Sequence, residues 1–315
     1  MLEFLIVLFV IMSFDSIFNY SVSNAFNLSM CDTNLSANEL RKREERLKRK
    51  EDKSRSNPYA RKWFREKQNT ITKSQKRALH DHWNTYGLEI NYGYKMNFNK
   101  LAFDLNQKMK LHTDNYNGDK SSQMNIKDIN VDVILDIGFG KGDSLIELAS
   151  SASISKPNEF YFGLELMRSG VAIAIQRLAE LKLSNCMLAK IDASRCLSHN
   201  IESNSITKAL IYFPDPWKNN ADIERRIVRP TVLHDLHNVI KKGGILHIVT
   251  DVDDYADYCR KLLEQEKDKF RLTLDVTYPP TKGKEEGAPD RPVTLYEQKA
   301  IAKGNQIHDL TYERI

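Results

Sequence analysis

Residues 131–149, VDVILDIGFGKGDSLIELA, constrain the fold more than any other part of the chain. An apolar strand runs into a turn with glycine at 138, 140 and 142, and an amphipathic helix follows directly. The glycines remove side chains where a ligand must approach the backbone, and the first N–H groups of the helix then face the cleft. Such a unit predicts an α/β chain, doubly wound on a mostly parallel sheet, with ligands bound outside the carboxyl ends of the strands. The turn departs from the dinucleotide fingerprint GxGxxG, because Asp143 stands where the third glycine belongs and an acid there repels a pyrophosphate. A cofactor without phosphates fits better, S-adenosylmethionine being the common one.

Further apolar runs carry acids at their ends. The run at 159–166 brings Glu165 to the position where such a sheet holds a ribose through both hydroxyls. The run at 187–191 leads into Asp192 and Ala193, and the run at 208–213 leads into Phe-Pro-Asp-Pro-Trp at 213–217. Prolines on both sides of Asp215 fix the backbone, so its carboxylate is held at the mouth of the sheet between the flat rings of Phe213 and Trp217. That suits a planar, hydrogen-bonding substrate such as a nucleobase. Each acid alone reads equally as a strand-end or helix-cap residue. Asp136, Glu165, Asp192 and Asp215 on successive strand ends point instead to one shared ligand site. Downstream, the pattern predicts a helix over 225–241 ended by Gly243 and Gly244, a strand over 244–251, a helix over 253–269, and strands over 271–278 and 306–315. The polar loop between the last two strands ends in RPVTLYE at 291–297.

Taken in order, DIGFGKG, GLELMRSGV, FPDPW, IVTDVDDY and RPVTLYE resemble the TrmB-type tRNA (guanine-N7)-methyltransferases. The resemblance is strong over 131–315 and weak over 58–88, and the pairing of FPDPW with RPxTxYE is specific to that family. It implies a class I S-adenosylmethionine-dependent fold of Rossmann-like type. Asp136, Gly138, Gly140, Glu165, Asp192, Ala193 and Asp215 would then contact the cofactor, with Asp215 also the catalytic acid. Asn219, Asp251, Thr294, Leu295, Tyr296 and Glu297 would contact substrate. One departure stands out: the loop after FPDPW reads KNNADIE, so the family's lysine falls on Asn219, with Lys218 one position earlier. Two other readings stay open, a non-catalytic tRNA-binding subunit and a methyltransferase of the same fold acting on another nucleobase.

The chemistry itself asks little of the protein. N7 of guanine carries an exposed lone pair and needs no deprotonation before it attacks a methyl sulfonium. Alignment and a nearby carboxylate that stabilises charge arriving on the purine are enough, and no metal is needed. Asp215 and Glu297 suit that charge and the guanine N1–H and amino hydrogens.

Charge is unevenly placed. Residues 39–77 hold 16 Lys/Arg against six Asp/Glu, while the whole chain is only +5, so the remainder is acidic. A basic arm with Trp63, Phe64 and Trp83 among its cations, on an acidic body, suits an anionic partner, here tRNA. Residues 112–130, rich in Asn, Asp, Ser and Gly, read as an exposed connector. The four cysteines show no ligand spacing and read as reduced thiols. Residues 2–14 form an apolar run of signal-peptide length, followed by Ser-Asn-Ala-Phe at 23–26, which resembles bipartite plastid-targeting presequences. The organisation expected is a presequence and charged linker over 1–57, a basic arm and connector over 58–130 and a methyltransferase domain over 131–315. The mature protein is expected in an organelle, plastid before mitochondrion, off the membrane, as a monomer or homodimer.

Overall fold

A computed structural model describes residues 71–91, 93–113, 129–279 and 291–315. The presequence and charged linker, the basic arm up to residue 70 with Trp63 and Phe64, and most of the connector lie outside the described residues. Seven strands form one sheet in the order β3-β2-β1-β4-β5-β7-β6. The first five, β1 (Asp132–Ile137), β2 (Glu159–Glu165), β3 (Cys186–Lys190), β4 (Ile206–Tyr212) and β5 (Ile240–Thr250), run parallel. Strand β7 (Ile307–Arg314) lies antiparallel between β5 and β6 (Phe270–Tyr278). The parallel strands read as continuous apolar runs because helices cover both faces, and Leu135, Phe162, Leu188, Leu210 and Ile248 are all buried.

Among the described residues, two helices precede the sheet. Helix α1 (Lys73–Tyr86) starts in a capping box, with the Thr72 side chain accepting from Gln75 N and the Gln75 side chain accepting from Thr72 N. Helix α2 is Phe98–Thr113. Ala78, Tyr86, Phe98, Leu101 and Leu105 from these helices enter the main core. Residues 71–113 are thus part of the body that the sequence reading began at 131. Between them, Leu88 N donates to Leu188 O at 2.8 Å, so the connection covers the β3 edge of the sheet.

The remaining helices are α3 (Asp143–Ser155), α4 (Arg168–Leu181), α5 (Ala193–His199), α6 (Pro230–Val239), α7 (Asp253–Gln265) and α8 (Leu295–Lys303). The expected helix over 225–241 divides, because Pro230 fits the first turn of a helix and not its interior, which leaves a separate 3-10 turn at Asn220–Arg225. Gly243 and Gly244 do not end that helix; they lie within β5, where Gly243 has φ +77° and the register against β4 shifts. Helix α7 stops at Gln265, four residues before the expected end.

Candidate active site

The four apolar runs that the sequence marked deliver their acids to the carboxyl edge of β1, β2, β3 and β4. Asp136 is the penultimate residue of β1 and is 3% exposed. Burial, and then the charge of Glu165, push its carboxyl up to about 7. The glycine turn follows, with φ +79°, +61° and +79° at Gly138, Gly140 and Gly142. At Gly142 a Cβ would lie 2.9 Å from Ala174 Cβ, so this glycine lets α3 pack against α4. A Cβ on Gly138 would meet no atom within 4 Å, which leaves open space above the turn for a ligand.

Glu165 ends β2 and folds back over that turn. Its carboxylate accepts from Gly140 N at 2.9 Å, Leu166 N at 2.6 Å and Met167 N at 2.7 Å. Burial raises its pKa and the three backbone bonds oppose the rise, while the charge of Asp215 adds to it. A carboxylate has about four acceptor positions, so room for one further donor remains. One ribose hydroxyl can be taken there without displacing a backbone N–H. Asp143 stands at the start of α3 where the dinucleotide fingerprint has glycine, and it pairs with Arg177 at 2.6 Å, so its charge is used to tie α3 to α4.

Asp192 and Ala193 stand at the start of α5, where the Asp192 side chain caps the helix by accepting from Arg195 N at 3.3 Å. Asp215 is exposed in its loop, and its charge adds to the rise in the Glu165 pKa. The residues around it adopt left-handed backbone, with φ +49° at Phe213 and +40° at Trp217. For non-glycine residues this conformation costs about 1–3 kcal/mol each and persists only where surroundings enforce it. Phe213 N donates to Val249 O at 2.7 Å. The buried Arg226 donates to Pro216 O at 2.8 Å and Trp217 O at 3.3 Å, and Arg225 lies 4.1 Å over the Trp217 ring. The sequence reading did not single out Arg226 as a clamp, although two adjacent arginines before a helix were visible.

Substrate-side residues divide into two groups. Asn219 and Lys218 are exposed beside the loop, and Asn219 starts the 3-10 turn through its backbone carbonyl. Asp251 follows β5 and accepts from Asn305 Nδ2 at 2.9 Å. Thr294 caps α8 by accepting from Glu297 N at 3.0 Å. Leu295 and Tyr296 are exposed, and the Tyr296 ring edge lies 3.9 Å from where a Cβ on Gly140 would sit. Glu297 needs correction. Its carboxylate is buried, held by Arg291 Nη1 at 2.6 Å and Nη2 at 3.1 Å and by the Tyr278 hydroxyl at 3.2 Å, so it is not presented to guanine.

Among the described residues no group of three or more His, Cys, Asp or Glu could hold a metal ion, and no helix is long and apolar enough to cross a membrane. Cys186, Cys196 and Cys259 are free and buried.

The family described as "Putative methyltransferase" matches residues 130–310. The tRNA (guanine-N(7)-)-methyltransferase of Halorhodospira halophila is 35% identical over 57% of this chain and 73% of its own length. That of Alkalilimnicola ehrlichii is 34% identical over 58% and 72%, and that of Pseudoalteromonas atlantica 27% identical over 85% and 98%. The strand order, the glycine turn and the acids on the ends of β1 and β2 define a class I S-adenosylmethionine-dependent methyltransferase. Its sheet and its FPDPW and RPVTLYE segments take the definition further. The chain belongs to the tRNA (guanine-N7-)-methyltransferase family.

Proposed function

We propose that the chain methylates N7 of a guanine in tRNA, with Asp136, Gly138, Gly140, Glu165 and the start of α5 at Asp192 and Ala193 holding S-adenosylmethionine. When bound, that cofactor supplies an electrophilic methyl group. The observation that carries the reading is Asp215, an exposed carboxylate on a loop held in strained backbone, electrostatically in reach of Glu165. Its role is to stabilise positive charge arriving on the purine, and preorganisation makes that interaction effective because the loop need not reorganise as charge develops. N7 needs no base, so Asp215 has no proton to remove. Asn219, Asp251, Thr294, Leu295 and Tyr296 line the substrate side, and the basic arm meets the phosphate backbone. Incubating the full chain with labelled S-adenosylmethionine and bulk tRNA, then digesting to nucleosides, tests the reading. Label recovered as 7-methylguanosine supports it, and label on another base or none at all sinks it.

We further infer an organellar enzyme, plastid before mitochondrion, working off the membrane as a monomer or homodimer. The apolar run at 2–14 and the Ser-Asn-Ala-Phe segment support it. A reporter fused to residues 1–60 should enter an organelle; diffuse cytosolic or secreted fluorescence rejects the assignment.

A further inference from the structure

Beneath the acid-bearing loop lies a line of polar side chains that the methyl-transfer chemistry does not use. The Tyr212 hydroxyl bonds to His247 Nδ1 at 2.9 Å, and His247 Nε2 bonds to Asp309 Oδ1 at 2.6 Å. Arg291 Nε donates to the other oxygen of Asp309 at 2.8 Å, and its Nη atoms grip Glu297. Tyr278 closes the far end, accepting from Arg291 Nη2 at 2.5 Å while donating to Glu297. Side-chain exposure is 1% at His247, 0% at Asp309 and 2% at both Arg291 and Glu297. Four buried polar groups in one unbroken line make a network whose members cannot relax separately, because each one's partner would be left unpaired away from water.

Each end of this line is attached to a part of the active site. Tyr212 is the last residue of β4 and is followed directly by strained Phe213 and the loop of Asp215. Glu297 sits in the first turn of α8, joined through its N–H to Thr294, next to Tyr296 over the glycine turn. The line thus crosses β4, β5 and β7 to join the two segments that the sequence marked separately, FPDPW and RPVTLYE.

We propose that Tyr212, His247, Asp309, Arg291 and Glu297 are positioning residues, a buried relay that holds the Asp215 loop and the Tyr296 segment in one fixed relation for methyl transfer. The inference rests on the methyltransferase reading above. Glu297 acts through Arg291 and Thr294, without touching the base. His247 sits at the midpoint, where burial lowers its pKa and Asp309 partly offsets the fall. Burial also opposes the charge of Asp309, but His247 and Arg291 outweigh it and hold the carboxyl below its usual range.

A double-mutant cycle on the full chain tests the relay. Tyr212→Phe removes one hydroxyl, and Glu297→Gln keeps shape while removing the charge that Arg291 holds. Each should lower kcat about 10-fold with S-adenosylmethionine affinity within about 3-fold, and the double variant should also stand near 10-fold, since one line is broken only once. A double variant near 100-fold, or a Glu297→Gln effect confined to KM for tRNA, overturns the relay and favours separate contacts. Hydrogen exchange gives a readout independent of turnover. Either single change should speed exchange at both Phe213 N–H and Glu297 N–H, and acceleration only beside the substituted residue overturns the proposal. A parent that fails to methylate tRNA sinks the proposed function, while the exchange measurement still decides the relay.

Discussion

Replacing Glu165 with Gln isolates what the turn contributes to cofactor affinity. The carboxylate receives Leu166 and Met167 N–H on Oε1 and Gly140 N–H on Oε2, at 2.6, 2.7 and 2.9 Å. Glutamine has one acceptor oxygen. If that oxygen keeps Leu166 and Met167, the amide nitrogen faces Gly140 N–H donor to donor, and the unpaired group costs about 1–3 kcal/mol. The two surviving bonds lose their charge assistance, roughly 1 kcal/mol each. Removing a buried charge offsets part of this, because burial already raises the Glu165 pKa. The balance is about 2–3 kcal/mol. It falls on binding because a turn left loose in the free protein must be ordered by the cofactor. S-adenosylmethionine should therefore bind about 30- to 150-fold more weakly, at about 1.4 kcal/mol per factor of ten. Calorimetric titration of parent and variant reads the change directly, with a melting curve to establish that both are folded. Equal affinity within about 3-fold would refute the account of the turn.

Two other outcomes follow from acids of the site and a third from the loop beside Asp215. Asp136 holds its proton in the folded chain up to about pH 7 but gives it up near 3.8 when unfolded, so the folded state binds more protons across that window. Stability of the ligand-free protein should therefore fall as pH rises from about 4 to about 7, by up to roughly 4 kcal/mol, and level off above. Asp136→Asn should lack the fall, and urea midpoints at pH 4.5 and 8 that move in parallel for both proteins would contradict this. Asp215→Asn should reduce single-turnover methyl transfer about 10²- to 10³-fold with tRNA affinity retained, and full activity in that variant rejects the charge-stabilising role. Asn219→Lys should tighten tRNA binding and steepen its salt dependence by about one counterion, a slope that an unchanged salt titration would disprove.

The first half of the catalytic body was legible because its signals are local. Apolar runs bounded by glycine or acid gave β1 to β4 to within a residue or two, and the positions of Asp136, Glu165 and Asp215 follow from strand ends alone. What escaped depends on partners distant in sequence. Glu297 in RPVTLYE looked like an accessible acid, and its burial comes from Arg291, Tyr278 and the packing of α8 on β6 and β7. His247 is a lone polar residue in the apolar half of β5, and Asp309 is one of several polar residues in β7; 62 positions separate them, and only the antiparallel placement of β7 brings them together. Gly243 and Gly244 misled for the opposite reason, since a glycine pair after a helical stretch serves equally as a helix stop or as a bulge.

The placement of β7 also sets an order of events during synthesis. A ribosome makes β1 to β5 and then β6, yet β6 pairs only with β7, and β7 is the later of the two. The glycine turn and its acids can assemble early from neighbouring segments. His247 still lacks Asp309, and β5 keeps an open edge, until residues 307–314 have been made. A nascent chain therefore carries an unpaired β5 edge until β7 has been made, a form that a chaperone can hold.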